Sequence, residues 1–205
     1  MSSTFDYYYD FSSPYAYLAC EEVQRVAERT GSQVGWRPFL LGGLFRQLGS
    51  AMVPILEATP QKQAMYRKDM YRWADLRGLP LQWPSRFPMR TILPLRVMVQ
   101  LNGDAHRRAC ARIFKAYWAE DRDIAEPQVL LELLNELGLD GQGLLEGTQV
   151  PENKAKVIEI GEQLFSLGSC GAPSFVVDGD RVFWGQDRLQ MVEKALEGWR
   201  PAVDG

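Results

Sequence analysis

Residues 5–18, FDYYYDFSSPYAYL, change their apolar period in mid-course, and that change constrains the fold of the chain more than any other feature. Phe5, Tyr7, Tyr9 and Phe11 alternate with Asp6, Tyr8 and Asp10. This is the period of two of a pleated strand, and aromatic side chains suit a buried one. From Tyr15 the spacing becomes three and four. Tyr15, Leu18, Ala19, Val23, Val26 and Ala27 draw one stripe along a helix that Gly31 ends. At the junction Ser13 is placed to cap the helix, and Pro14 to occupy its first position, where a missing N–H costs nothing. Free N–H groups, a hydroxyl and the positive end of a helix dipole there suit an anion such as a carboxylate, a phosphate or a thiolate. Serine is also simply a preferred cap. A functional Ser13 therefore needs a second segment of the chain to bring it a binding surface.

The rest of the chain supplies a sheet on either side of a long helical stretch. Residues 33–38, QVGWRP, read as a second strand and close a strand-helix-strand unit, a right-handed parallel crossover. Helices are then expected at 40–49, 60–77, 89–101, 104–120, 126–137, 141–146 and 151–167. Tyr66, Met70, Trp73 and Arg77 fall on one side of the second of these. Residues 79–87, LPLQWPSRF, are too rich in proline and aromatics for a helix and read as a loop laid over the surface. The runs 174–177 and 181–184 are β-rich and joined by Asp178-Gly179-Asp180, a hairpin signal. Gly185-Gln186-Asp187 then leads into a last helix, with Asp187 and Gln190 spaced as a capping box. With the central helices set aside, residues 1–39 and 151–205 make one α/β domain and residues 40–150 an inserted helical one.

Several function classes are disfavoured at this point. A net charge of −3 and no basic run give nucleic acid no electrostatic footprint. The N-terminus has neither a basic nor an apolar leader segment, and no apolar run is long enough to span a bilayer, so no membrane is expected and the expected compartment is the cytoplasm. Cys20, Cys110 and Cys170 are odd in number and far apart, which speaks against both a disulfide framework and a zinc site and leaves packing as their role. The single histidine, His106, lies in the polar stretch NGDAHRR and is expected at the surface, so the chemistry is not expected to use a histidine base.

A parallel strand-helix unit with its reactive group at the helix start, together with Gly171-Ala172-Pro173 just before an antiparallel hairpin, resembles the thioredoxin superfamily. The resemblance implies an α/β, thioredoxin-like fold with a large inserted all-helical domain and a cis peptide at Ala172-Pro173. The redox members carry Cys-x-x-Cys where this chain has Ser13-Pro14-Tyr15-Ala16, so dithiol exchange is not expected. The Ser-Pro-Tyr start, the helical insert and the ending Trp184-Gly185-Gln186-Asp187-Arg188-Leu189 resemble, more narrowly, the DsbA-like 2-hydroxychromene-2-carboxylate isomerases and the kappa-class glutathione transferases. What the resemblance implies is a glutathione-dependent isomerase of an unsaturated aromatic keto acid from aromatic degradation. A glutathione transferase or a non-catalytic thiol-peptide binder stand as alternatives.

By the same resemblance Ser13 is the catalytic residue and holds the glutathione sulfur, while Ala172 and Pro173 bind the cysteinyl backbone. Trp184, Gly185, Gln186 and Asp187 hold the γ-glutamyl end, and Lys62 the glycyl carboxylate. On the substrate side the corresponding places are Phe45 or Arg46, Phe87 and Arg90, with Arg46 or Arg90 to clamp a carboxylate. The expected partners are an aromatic, carboxylate-bearing small molecule and, as a homodimer, a second copy of the chain.

Overall fold

The computed structural model describes residues 3–202, so the outermost ends of the expected α/β domain, residues 1–2 and 203–205, lie outside the described residues. The period change falls where the sequence places it. Strand β1 is Thr4–Tyr9 and helix α1 is Pro14–Thr30. Ser13 Oγ accepts from the Ala16 N–H at 3.2 Å, and Gly31 in the left-handed conformation closes the other end. Strand β2, Gln33–Pro38, runs parallel to β1, with Tyr7 beside Trp36. Strand β3, Ser174–Val177, pairs antiparallel with the other edge of β1, and β4, Arg181–Trp184, continues antiparallel to β3. The order β2-β1-β3-β4 makes β1 a central strand, and only a central strand has use for so aromatic a sequence.

Between β2 and β3 stand eight helices: α2 Leu41–Leu48, α3 Pro54–Glu57, α4 Pro60–Arg77, α5 Ile92–Met98, α6 Gly103–Trp118, α7 Pro127–Glu136, α8 Gly141–Gly147 and α9 Pro151–Ser166. Helix α10, Leu189–Leu196, follows β4. One face of the sheet packs on α1 and α10, where Tyr7, Phe175, Val23, Val26, Val192 and Ala195 are buried together. The same apolar cluster runs on without a break through Cys110, Phe114 and Trp118 of α6 to Leu130, Leu133 and Leu134 of α7. The opposite face, carrying Tyr8 and Val176, is covered by Leu41 and Leu44 of α2 and by Ile160 and Leu164 of α9. Both faces of β1 are therefore covered over its second half, Tyr7–Tyr9. Tyr7 is accommodated because its hydroxyl donates to Ala16 O at 2.7 Å.

Three sequence expectations are corrected here. His106 is no surface residue: it is 2% exposed, on the first turn of α6. Its Nδ1 lies 3.1 Å from Leu101 O and its Nε2 2.7 Å from the Tyr9 hydroxyl. The carbonyl can only accept, so Nδ1 carries the proton and Tyr9 donates to Nε2. Burial holds the imidazole at about 4, below its ordinary value, so it is neutral near pH 7. The capping box at Asp187 does not form either. Residues Gln186–Arg188 take a tighter 3₁₀ turn, α10 begins only at Leu189, and the Asp187 carboxylate lies 3.3 Å from Arg188. The helix expected at 89–101 is shortened to Ile92–Met98.

Candidate functional site

Two segments 159 residues apart meet at the head of α1. The Ser13 hydroxyl donates to the carbonyl of Ala172 at 2.9 Å, and both residues are buried. The Ala172-Pro173 peptide is cis, as the resemblance implies, and it delivers Ala172 to Ser13. Pro173 O in turn accepts from the Gly185 N–H at 3.0 Å, which seats the Trp184–Asp187 segment beside the same loop. Gly171 and Gly185 are required by close approach. A β-carbon on Gly171 would stand 2.8 Å from the Trp184 indole nitrogen. Gly185 has φ 116°, and a β-carbon there would stand 2.7 Å from Asp187 Oδ1. Ser13, Ala172, Pro173, Trp184, Gly185, Gln186 and Asp187 are thus gathered around one corner of the sheet, at the start of α1 and just before α10.

Asp10 fixes the loop that carries Ser13. Its carboxylate is buried and accepts from the Ser12 N–H at 2.9 Å, the Ser12 hydroxyl at 3.0 Å and the Leu41 N–H at the start of α2 at 2.8 Å. The buried Thr91 side chain lies beside the same carboxylate. The Asp10 carbonyl accepts from the Ser13 N–H at 3.0 Å. Desolvation raises the Asp10 carboxyl above its ordinary value in spite of these donors. Sequence reasoning left Asp10 out of the site because in a strand its alternation placed it on the polar side.

Helix α4 forms the far wall. Tyr15, two residues after Ser13, has its hydroxyl pushed up to about 12, first by burial and then by Asp69, Tyr66 and Asp187. These four groups therefore share one neighbourhood, and Tyr15 is a proton donor rather than a base. Lys62 lies one turn before Tyr66 on the same face of α4, and its side chain is exposed. Of the stripe Tyr66, Met70, Trp73 and Arg77, only Met70 is fully buried. Arg77 is half-buried and donates to Leu18 O at 2.5 Å and to Gln186 O at 3.1 Å.

The substrate-side residues are not drawn together in the same way. Arg46, in the last turn of α2, and Arg90 are exposed, and no hydrogen bond or ion pair among the described residues joins their side chains to the corner around Ser13. Phe45, the alternative to Arg46, is partly buried against the cluster of Tyr8, Leu41 and Leu44. Phe87 is engaged in packing, its ring centroid 4.8 Å from Trp83 and 6.0 Å from Trp118. Trp118 donates its indole N–H to Phe11 O at 2.8 Å, so this aromatic cluster supports the end of β1 close to Ser13. Cys20 and Cys110 are buried with their sulfurs 3.7 Å apart, and Cys170 is exposed. Among the described residues no three His, Cys, Asp or Glu side chains are grouped to hold a metal, and no helix is long and apolar enough to cross a membrane.

Residues 4–197 match the DSBA-like thioredoxin domain. The chain belongs to this family. It is 29% identical over 196 residues to the 2-hydroxychromene-2-carboxylate isomerase of Sphingobium xenophagum, covering 96% of this chain and 99% of that protein. It is 27% identical over 226 residues to human glutathione S-transferase kappa 1, covering 98% and 96%. The solved structure of a 2-hydroxychromene-2-carboxylate isomerase superposes with a TM-score of 0.83 at 23% identity, covering 95% of this chain and 94% of that one, which shows a shared fold.

Proposed function

We propose that the chain is a glutathione-dependent isomerase acting on an unsaturated aromatic keto acid, the 2-hydroxychromene-2-carboxylate type. The observation that carries the reading is the Ser13 hydroxyl, capping α1 while bonded to the carbonyl that precedes a cis proline. The corner suits a thiol peptide on three counts. The carbonyl of Ala172 stands at an edge where an extended backbone can pair. Gly171 and Gly185 leave room where side chains would intrude. Gln186 Oε1 is buried without a hydrogen-bond partner among the described residues, which leaves an acceptor for an ammonium or amide N–H of a ligand.

When bound, glutathione supplies the thiolate that adds to the conjugated alkene and is expelled again once the former double bond has rotated. The chain's own residues hold and ionise that thiol. A hydroxyl has one proton, and in the free protein Ser13 places it on Ala172 O. A ligand N–H that takes over Ala172 O releases the Ser13 proton toward the sulfur, so backbone pairing and thiolate stabilisation are coupled. The Tyr15 N–H, which meets no acceptor among the described residues, adds to the same potential, and each unit by which the thiol is lowered from about 8.5 corresponds to about 1.4 kcal/mol. Lys62 is assigned to the glycyl carboxylate and Gln186 with Asp187 to the γ-glutamyl end. Arg46 or Arg90 is assigned to the substrate carboxylate and Phe87 to its ring. The chain is read as a two-domain cytoplasmic protein that works as a homodimer.

The kappa-class relative supports a second reading, a transferase in which the same thiolate stays attached to its electrophile. One assay separates them. With a hydroxychromene carboxylate and glutathione, interconversion of isomers at constant free thiol supports the isomerase, and stoichiometric loss of free thiol supports the transferase. Glutathione binding with neither outcome leaves a binding protein.

A further inference from the structure

Helix α4 packs lightly, with only Met70 and Ala74 fully buried, yet its last turn carries the most elaborately held cation of the segment. The Arg77 guanidinium lies over the Trp73 ring, with Cζ 4.9 Å from its centroid. One nitrogen donates to Leu18 O in the second turn of α1 at 2.5 Å, and the other to Gln186 O at 3.1 Å. Neither acceptor is a carboxylate, and no ion pair holds Arg77 among the described residues. Leu18 O is a helix-interior carbonyl that already has a place in the α1 ladder, so the bond to Arg77 is an addition to it. A planar fork can reach two carbonyls and a ring at once, which a lysine cannot.

The bond to Gln186 O has a geometric consequence. A trans peptide is planar, so its C=O and the N–H of the next residue point opposite ways. Drawing Gln186 O toward Arg77 therefore turns the Asp187 N–H away from Arg77, and that N–H meets no acceptor among the described residues. The positive charge stands behind the same turn, near enough to Asp187 for its carboxylate to favour the charged guanidinium. Burial disfavours that charge but leaves it in place near neutrality, since arginine is effectively always protonated.

We propose that Arg77 is the positioning residue of this site: it locks the Gly185–Asp187 turn to helices α1 and α4 and so presents the turn's free amide and its positive field to the α-carboxylate of the γ-glutamyl end of a thiol peptide. The inference rests on the glutathione reading above and adds the residue that shapes the turn without touching the ligand.

The test compares two ligands by calorimetry, glutathione and cysteinylglycine, which lacks the γ-glutamyl group, on the wild type and on Arg77→Met. The wild type binds glutathione more tightly. The variant loses roughly tenfold in glutathione affinity, the scale of one hydrogen bond to a charged group, while cysteinylglycine binding changes less than about twofold. Equal loss for both ligands, or no loss for either, overturns the proposal and leaves the glutathione reading standing. A wild type that does not distinguish the two ligands overturns the assignment of the γ-glutamyl end itself. Should Arg77→Met fail to fold, Arg77→Lys keeps the charge and loses the fork. It is then expected to reduce the preference for glutathione by a few-fold, and an unchanged preference overturns the proposal.

Discussion

Ser13→Ala removes one oxygen that has two duties, and the structure allows each to be given a size. As the cap of α1, Ser13 Oγ accepts from Ala16 N–H, and losing such a cap costs about 1 kcal/mol. As a donor it satisfies the buried carbonyl of Ala172, and losing that bond costs about another 1 kcal/mol. The variant is therefore expected to be less stable by about 2 kcal/mol, a fall in Tm of roughly 4–8 °C for a chain of this length. Catalysis should suffer more. If the hydroxyl is the preorganised donor to the thiolate, turnover falls about 10²–10³-fold. Glutathione affinity stays within several-fold, because the Ala172 backbone and the Gln186–Asp187 turn hold most of the peptide. Thermal denaturation, calorimetry and a pH titration of the bound thiol's absorbance measure the three effects on one preparation. The bound thiol should titrate at higher pH in the variant. An unmoved titration with a large rate loss would refute the argument that Ser13 acts on the thiolate, and so would a rate loss of only a few-fold.

Two further perturbations probe the frame around the site. His106 is buried neutral at about 4, whereas an unfolded histidine titrates near 6.5, so the unfolded chain takes up the proton first. Its contribution is fully present above about pH 6.5 and is lost as pH falls toward 4, by about 3 kcal/mol. Urea denaturation of wild type and His106→Gln at pH 7 and pH 4.5 should show the variant with the shallower pH dependence, and equal slopes would contradict the buried assignment. Gly171→Ala sets a β-carbon 2.8 Å from the Trp184 indole nitrogen, which must move. The variant should fold, change its tryptophan emission and bind glutathione several-fold more weakly, and unaltered binding would separate Trp184 from the ligand.

The parts of this molecule legible in sequence are those that local periodicity encodes. The switch from a period of two to one of three and four at Ser13 gave β1, the cap and α1 directly, and Gly-Ala-Pro before a hairpin carried the cis peptide through resemblance. What escaped was set by packing between distant elements. His106 sits in a polar stretch, yet Cys110, Ile113 and Tyr117 continue a buried stripe that, traced backward on α6, begins at His106. That signal was present in the spacing and was outweighed by the polarity of its neighbours. Asp10 has no such signal, because its burial comes from the start of α2 and from Thr91, which the chain brings over it from far along the sequence. Arg77 belonged to a stripe whose meaning was open. Only the meeting of α4, α1 and the 186 carbonyl separates it from an ordinary last-turn cation. Arg46 and Arg90 remain exposed side chains, since nothing in their local sequence ties them to the corner around Ser13.

The most direct test is the number of protons released when glutathione binds at pH 7, obtained by calorimetry in two buffers of different ionisation enthalpy. A free thiol near 8.5 is almost wholly protonated at that pH, so a site that ionises it must release roughly half a proton or more per ligand bound. S-methylglutathione, which has no thiol proton, should bind with no such release. Binding of glutathione without proton release, or no binding heat at millimolar ligand, would contradict the claim that this corner holds a thiolate.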